Sequence, residues 1–453
     1  MSQSLTKSLG RFVSSIGLES IPPPALGVVH TGFADCVGTL IAGSIEEPPR
    51  LLHKVLAPPP GEASLYLSDP RVPAPEAAWI NGTAAHALDY DDVSLRGHPS
   101  TVLVPAILAE AEVLGASGAQ MAIAYVAGYE VWAELAGRDP DQHHQKGWHP
   151  TGIFGAIAAA AACASLRALD PDQATQALAL AASHSSGLVA NFGTMTKPYH
   201  AGKAAHAGVI SARLAAAGFT SSPDALEHPL GFLAAVSPKG AADRERAVEA
   251  GHDWQILVQG LGVKKYPLCY CTHRAIDGML DLLREQQVPG EEVNSVTVST
   301  SRRNATILRN ARPQTGLEAK FSMQFAMASS IIAGRVGLSE LTDGFVQRED
   351  VQALIGKVRI EPDDRPDPKR SGAAPYDLVV IELNGGRRLQ SRRVTDERGS
   401  PQLPLSKEEL WAKFETCLAL GNPSLPARQI FDALMSIERQ PGVSAFVGLR
   451  QAA

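Results

Sequence analysis

Cysteine is scarce in this sequence and forms no framework: Cys36, Cys163, Cys269, Cys271 and Cys417 are an odd, scattered set within 453 residues. That excludes a disulfide scaffold and fits a reducing compartment. Positive charge is not in excess either. A formal net charge of −6 gives no general attraction to nucleic acid or to an anionic membrane surface, so any anion site must be built locally. The N-terminus lacks an apolar core followed by a small-residue cleavage site, and no run of about 18 apolar residues stands out. We expect a cytoplasmic protein with no nucleic-acid or membrane partner. No Gly-X-Gly-X-X-Gly follows a strand and no phosphate loop is present, so no nucleotide cofactor is expected. Cys269-Tyr270-Cys271 stands without a second pair at ligand spacing, and no His-Glu-X-X-His occurs, so no metal is expected.

What the sequence has in quantity is alanine, leucine and glycine. The apolar fraction of 45% is that of a globular chain, long enough for two or three structural units. Up to about residue 265 the segments "HTGFADCVGTLIAG", "AAWINGTAAHALDY", "TVLVPAILAEAEVLGA" and "GAQMAIAYVAGYEVWAELAGR" carry apolar residues at helical spacing. Small residues on several faces suit closely packed helices. After about residue 290 the pattern changes. "EEVNSVTVSTSRRN" and "GKVRIEPD" read as strands, and "YDLVVIELNGGRRLQSRRV" as a hairpin turning at Asn384, Gly385 and Gly386. A helical stretch, "LEAKFSMQFAMASSIIAG", lies between them. Beyond Pro401 the chain returns to helix, with Ser406 and Glu409 at capping-box spacing. The expected fold is mainly α: residues 1–265 and 402–453 form an all-helical domain, and residues 266–401 an α+β domain.

Four polar segments interrupt the packing pattern. In "HALDYDDVSLRGHPS", Asp89, Asp91 and Asp92 follow an apolar helix, with Arg96 and His98 close behind. Carboxylates at a helix C-terminus are disfavoured by the negative dipole end, which raises their pKa and suits proton transfer; the segment read alone fits a solvated loop equally well. In "GWHPTGIFGAIAAAAACASL", Trp148, His149, Pro150 and Thr151 precede a long helix whose mouth suits a substrate carboxylate near Thr151 and Gly152. His149 can transfer a proton there, although a capping histidine reads the same. In "GTMTKPYHAGKAAHAG", Pro198 suits a first helical turn and places Thr196 and Lys197 at another helix mouth, with Lys197 a candidate base. His200, Lys203 and His206 follow at spacings of three and share one broad face, which a merely solvated helix also explains. The fourth segment is "GVKKYPLCYCTHRAIDG", with Lys264, Lys265 and a helix starting at Thr272 or His273.

Taken together and in this order, these four segments resemble the MmgE/PrpD family, and the order of elements agrees over roughly residues 15 to 450. The resemblance implies a large helical domain made from both chain ends, a smaller α+β lid domain and a homodimer. It places the family's active-site aspartate at Asp89, its histidines at His98 and His149, and its lysines at Lys197 and Lys264. Thr151, His200, Lys203 and His273 are placed as substrate-binding residues. Three departures from the family's pattern stand out: Val93 replaces a threonine, Phe325 replaces a tyrosine of several members, and the His-Pro-Ser loop is one residue shorter than in the family's decarboxylase members. Each of the two replacements removes a hydroxyl. The implied activity is that of a cofactor-independent, metal-independent lyase of the dehydratase type. It acts on a small di- or tricarboxylate, 2-methylcitrate dehydratase-like, by proton transfer at a carbon beside a carboxylate. The alternatives are an epimerase or decarboxylase with the same site, an iron-sulfur hydro-lyase, and, from another class, an inactive dimeric binding or scaffold protein. Spacing does not say which histidine is base; His149 as base and His98 as acid is the working assignment, with Asp89 orienting or charging a histidine.

Overall fold

The structure is a computed structural model that describes residues 4–368, 370 and 372–448. Internal contacts divide the chain into two compact units, Met1–Val263 with Ser406–Ala453, and Lys264–Leu405.

The first unit is helical: α1 (Leu5–Ser15), α2 (Pro23–Gly43), α3 (Glu47–Leu56), α4 (Ala74–Ala87), α5 (Ser100–Leu114), α6 (Gly118–Gly137), α7 (Pro150–Leu166), α8 (Pro171–His184) and α9 (Thr196–Ala216). Helices α5 and α7 are apolar on all sides and nearly every residue is buried, so they run through the core rather than along its surface. The alanine run of α7 is what allows neighbours on every side. A short antiparallel ribbon, β1 (Ala63–Leu65) with β2 (Ser68–Val72), departs from the all-helical expectation. The proline-rich text before it shows no strand alternation.

Helices α4 and α9 cross where neither has a side chain. A Cβ on Gly202 would sit 2.2 Å from the Trp79 carbonyl oxygen, and one on Gly82 would sit 2.8 Å from the Gly202 Cα. The backbones touch there, and the helix ends carrying His86 and Lys197 are held together as a result. Gly202→Ala forces the backbones apart and is expected to destabilise the protein by about 2–3 kcal/mol, measured as a shift of the denaturant midpoint.

Among the described residues, α2 is the one helix long and apolar enough to cross a membrane, which the composition alone did not reveal. Its chemistry is that of a core helix. Asp35 in its middle is 2% exposed and meets Lys413 Nζ at 2.5 Å, from the helix Lys407–Gly421 near the end of the chain. Ser406 and Glu409 cap that helix reciprocally, as their spacing predicts.

The second unit carries a four-stranded sheet in the order β4-β3-β5-β6, from β3 (Val293–Ser301), β4 (Val358–Asp363), β5 (Leu378–Leu383) and β6 (Arg388–Gln390). Strand β3 is parallel to β4, pairing Val296 with Val358, and antiparallel to β5, pairing Val296 with Ile381. The β5–β6 turn holds Gly385 and Gly386 at φ of +90° and +82°, where a side chain would strain the backbone. Val296, Val298, Val379 and Ile381 pack with Phe325 into the core of this unit. Phe325 is fully buried and meets the Phe345 ring at 6.3 Å between centroids. Its replacement of a tyrosine is thus accommodated as core packing.

Candidate active site

The site grows from three helix ends of the first unit. The C-terminus of α4 brings His86, the loop after it brings Asp89, Asp91 and His98, the mouth of α7 brings His149 and Thr151, and the mouth of α9 brings Lys197 and His200. The loop is tightly bent. Asp89 has φ of +51°, and Leu95 and Arg96 have φ of +50° and +64°, forming a two-residue hairpin closed by bonds between Ser94 and Gly97 at 3.0 and 2.7 Å. Residues held in this region are costly and persist where the surroundings dictate them. Those surroundings include Val93, bonded through its backbone to Gly262 in both directions, and Lys413, whose Nζ donates to the Tyr90 carbonyl at 2.7 Å and lies over the Tyr90 ring. Val93 therefore holds the loop through its main chain.

Asp89 meets Lys197, with Oδ1 2.6 Å from Nζ. The carboxylate set between histidines is Asp91: Oδ1 accepts from His86 Nδ1 at 2.8 Å, and Oδ2 lies 2.7 Å from His98 Nδ1. The sequence reading assigns a histidine to Asp89; Asp91 is the carboxylate seen between two histidines, and Asp89 faces Lys197. His98 Nδ1 also lies 2.8 Å from the Asp92 carbonyl oxygen, so acceptors surround that nitrogen and its proton resides there. The His98 backbone amide donates to Thr151 Oγ1 at 3.2 Å, tying the loop to the mouth of α7.

His149 ends the entry into α7, and its backbone amide donates to the Gly187 carbonyl at 3.0 Å. Its Nδ1 faces His200 Nδ1 at 3.1 Å, and its ring stands edge-on to Phe192 with centroids 4.7 Å apart. Gly187, at φ of +116°, leaves room for this pair, since a Cβ there would press 3.2 Å from the His200 ring. Lys197 lies 5.6 Å from the Phe192 ring centroid, on the same aromatic wall.

Lys203 is not part of this group. Helix residues advance about 100° each, which leaves His200 close to the face of Lys197 and turns Lys203 away. Its Nζ lies 4.2 Å from the Trp79 ring centroid and 3.2 Å from His206 Nδ1. Lys264 and His273 belong to the second unit, where His273 begins the helix His273–Glu285 and packs between the rings of Tyr266 and Tyr270. Sequence reasoning missed His86 and did not single out Asp91 from its neighbours. A histidine inside the apolar run "AAHALDY" reads as core, and nothing in "DYDD" tells which aspartate turns inward.

Burial sets the electrostatics. It pushes His86 down to about 3, with Lys197 and His98 adding to that effect against the pull of Asp91. It pushes His149 well below the ordinary histidine range, aided by Lys197, His86, His98 and His200. His200 is lowered to about 4 by burial and Lys197. For Asp91 burial works upward, but the two imidazoles prevail and hold it well below the usual carboxylate range. Asp92 goes the other way, raised by burial and by the carboxylates of Asp35 and Asp91 while it accepts from Ser100. A common rise from the helix dipole was expected for these aspartates; burial and immediate neighbours outweigh it and separate them.

The arrangement therefore offers neutral imidazoles for proton transfer, a cation at a helix mouth and a fixed buried anion. One donor atom each from His86, Asp89, Asp91 and His98 lie within 4.8 Å of one another, the dimensions of a cation site. The Lys197 ammonium already stands against Asp89 there, so a divalent ion would have to displace it. A separate cavity of about 740 Å³, lined by Arg11, Phe12, His252 and Trp254, includes none of these residues.

Comparison with known proteins identifies the family of the chain. The MmgE/PrpD N-terminal domain matches residues 7–245 and the MmgE/PrpD C-terminal domain residues 266–435. Over 362 residues the chain is 29% identical to the cis-aconitate decarboxylase of Homo sapiens, spanning 76% of this chain and 73% of that protein. The Mus musculus protein of the same name is 28% identical over 361 residues, 76% of this chain and 72% of its own length. The Aspergillus terreus cis-aconitate decarboxylase is 24% identical over 422 residues, 86% of this chain and 84% of that one. The two domain matches take in most of the sequence, and the chain belongs to the MmgE/PrpD family.

Proposed function

We propose that this protein is a lyase that works on a small tricarboxylate of the cis-aconitate class, with decarboxylation the leading reaction and dehydration of a 2-methylcitrate-like substrate the second. The observation that carries the reading is the meeting of His149 and Lys197 on one aromatic wall, with the imidazole held neutral by burial. Decarboxylation breaks the bond from carbon to a carboxylate, CO2 leaves, and the electron pair left on carbon must take up a proton. Dehydration instead removes a proton beside a carboxylate and sends off hydroxide with a second proton. Both pass through negative charge spread onto a neighbouring carboxylate. A fixed ammonium at a helix mouth stabilises that charge, and an imidazole moves the proton. His149 and His98 perform the transfers, with His149 the base and His98 the acid in the dehydration direction. Lys197 clamps a carboxylate, with Asp89 fixing its ammonium. Thr151 and His200 border the substrate. We place the protein in the cytoplasm as a homodimer that needs neither metal nor organic cofactor.

The relatives named as cis-aconitate decarboxylases favour the first reaction. The test is to follow cis-aconitate with the purified protein by NMR, together with 2-methylcitrate and other hydroxy- and methyl-polycarboxylates. Release of CO2 with a new five-carbon product is the expected result. Hydration or dehydration without CO2 supports the second reading. Binding of these acids without any turnover overturns both and leaves a binding protein.

A further inference from the structure

His86 lies one layer behind the imidazoles that face substrate, and no step described above uses it. It is 1% exposed, on the last turn of α4. Its ring stands 4.4 Å from that of His98 and 6.2 Å from that of His149, between centroids. Its Nδ1 meets Asp91 Oδ1 at 2.8 Å, while its Nε2 is buried with no hydrogen-bond partner. That last fact fixes its protonation. An imidazolium here would bury a charged N–H with nothing to accept it, whereas a neutral ring with its proton on Nδ1 leaves only a lone pair unpartnered. Burial disfavours the cation independently.

Asp91 then depends on this donor. Its carboxylate is fully buried: Oδ1 accepts from His86 Nδ1, and Oδ2 lies 2.7 Å from His98 Nδ1 as an ion-pair contact, while the Nδ1 hydrogen bond of His98 goes to the Asp92 carbonyl. A carboxylate held at one oxygen alone can rotate. Held by His86 at Oδ1, it keeps Oδ2 against His98 Nδ1.

We propose that His86 is a positioning residue: as a neutral Nδ1–H donor it fixes the plane of Asp91, and through Asp91 it sets the orientation and charge support of His98. Asp91 is the positioning carboxylate of the same relay. Neither touches substrate. The assignment rests on the reading of this site as a proton-transfer centre.

Nitrogen-15 NMR of histidine-labelled full-length protein at pH 7 is the first arm. It is expected to find His86 neutral and protonated on Nδ1; an imidazolium, or a proton on Nε2, overturns the proposal whatever the substrate is. Kinetics on the best substrate are the second arm. His86→Ala is expected to lower kcat by about 10- to 100-fold with KM little changed. His86→Asn, whose amide can donate from nearly the Nδ1 position, is expected to recover most of that loss. Because His86 acts through Asp91, the double variant His86→Ala/Asp91→Asn is expected to be no slower than Asp91→Asn alone. Fully additive losses, or equal losses in His86→Asn and His86→Ala with both variants folded, overturn it. If the wild-type protein turns over none of the acids, the functional reading falls and the NMR arm alone decides on His86.

Discussion

His149→Ala is expected to lower kcat by about 10²- to 10⁴-fold, the range that a well-placed general acid or base contributes, while the protein stays folded. The backbone of residue 149 does the structural work at this point, through its amide bond to Gly187 and the carbonyl that accepts from Ile153 at 3.1 Å. The side chain makes no cap bond to α7. Removing it leaves a small void beside Phe192 and His200, at a cost in stability well below that of a core aromatic. Far-ultraviolet circular dichroism and the denaturant midpoint separate the two effects. The pH profile gives a second signature. A base must be unprotonated, so its rate is lost as the pH falls through its pKa. Burial, with the nearby cations, holds His149 well below the ordinary histidine range. For dehydration, where His149 is the base, the wild-type kcat/KM is therefore expected to show no acid limb near pH 6.5, where an ordinary histidine titrates.

Lys197→Met is expected to cost about 10²- to 10³-fold in kcat, the scale of losing one preorganised charge at a developing anion. Methionine keeps length and apolar contact with Phe192 but removes the ammonium that stands 2.6 Å from Asp89. Its loss also reaches His149. After burial, Lys197 is the largest cause of the depressed His149 pKa, so without it the imidazole becomes easier to protonate. The acid limb of the residual kcat/KM then moves to higher pH. A limb that stays in place or moves lower contradicts the electrostatic link between the two residues. Measuring kcat/KM from pH 5 to pH 8 for both proteins decides this.

The helices of the first unit were legible because alanine, leucine and glycine recur at one period over long stretches, and the hairpin at Asn384 to Gly386 because only a few residues tolerate its backbone. Asp89, His98, His149 and Lys197 were legible as words, carried by the resemblance of four segments in order. What was illegible depends on rotation and distance. Lys203 shares a spacing of three with His200, yet its ammonium points at Trp79. Asp91 and Asp89 differ by two positions, and the positive φ of Asp89 separates a lysine partner from a histidine partner. The contact of Lys413 with Asp35 and Tyr90 joins segments more than 300 residues apart, which no local pattern encodes. The ribbon β1–β2 pairs short strands whose sequence does not alternate.

The central claim is that His149 moves a proton to or from a carbon beside a carboxylate. Turnover of cis-aconitate in deuterated water, followed by proton and deuterium NMR, tests it most directly. One solvent deuteron is expected in the product carbon skeleton with the wild-type protein, and product is expected to form at least about 100-fold more slowly with folded His149→Ala. Product formed by His149→Ala at the wild-type rate, or wild-type product carrying no solvent deuterium, contradicts it.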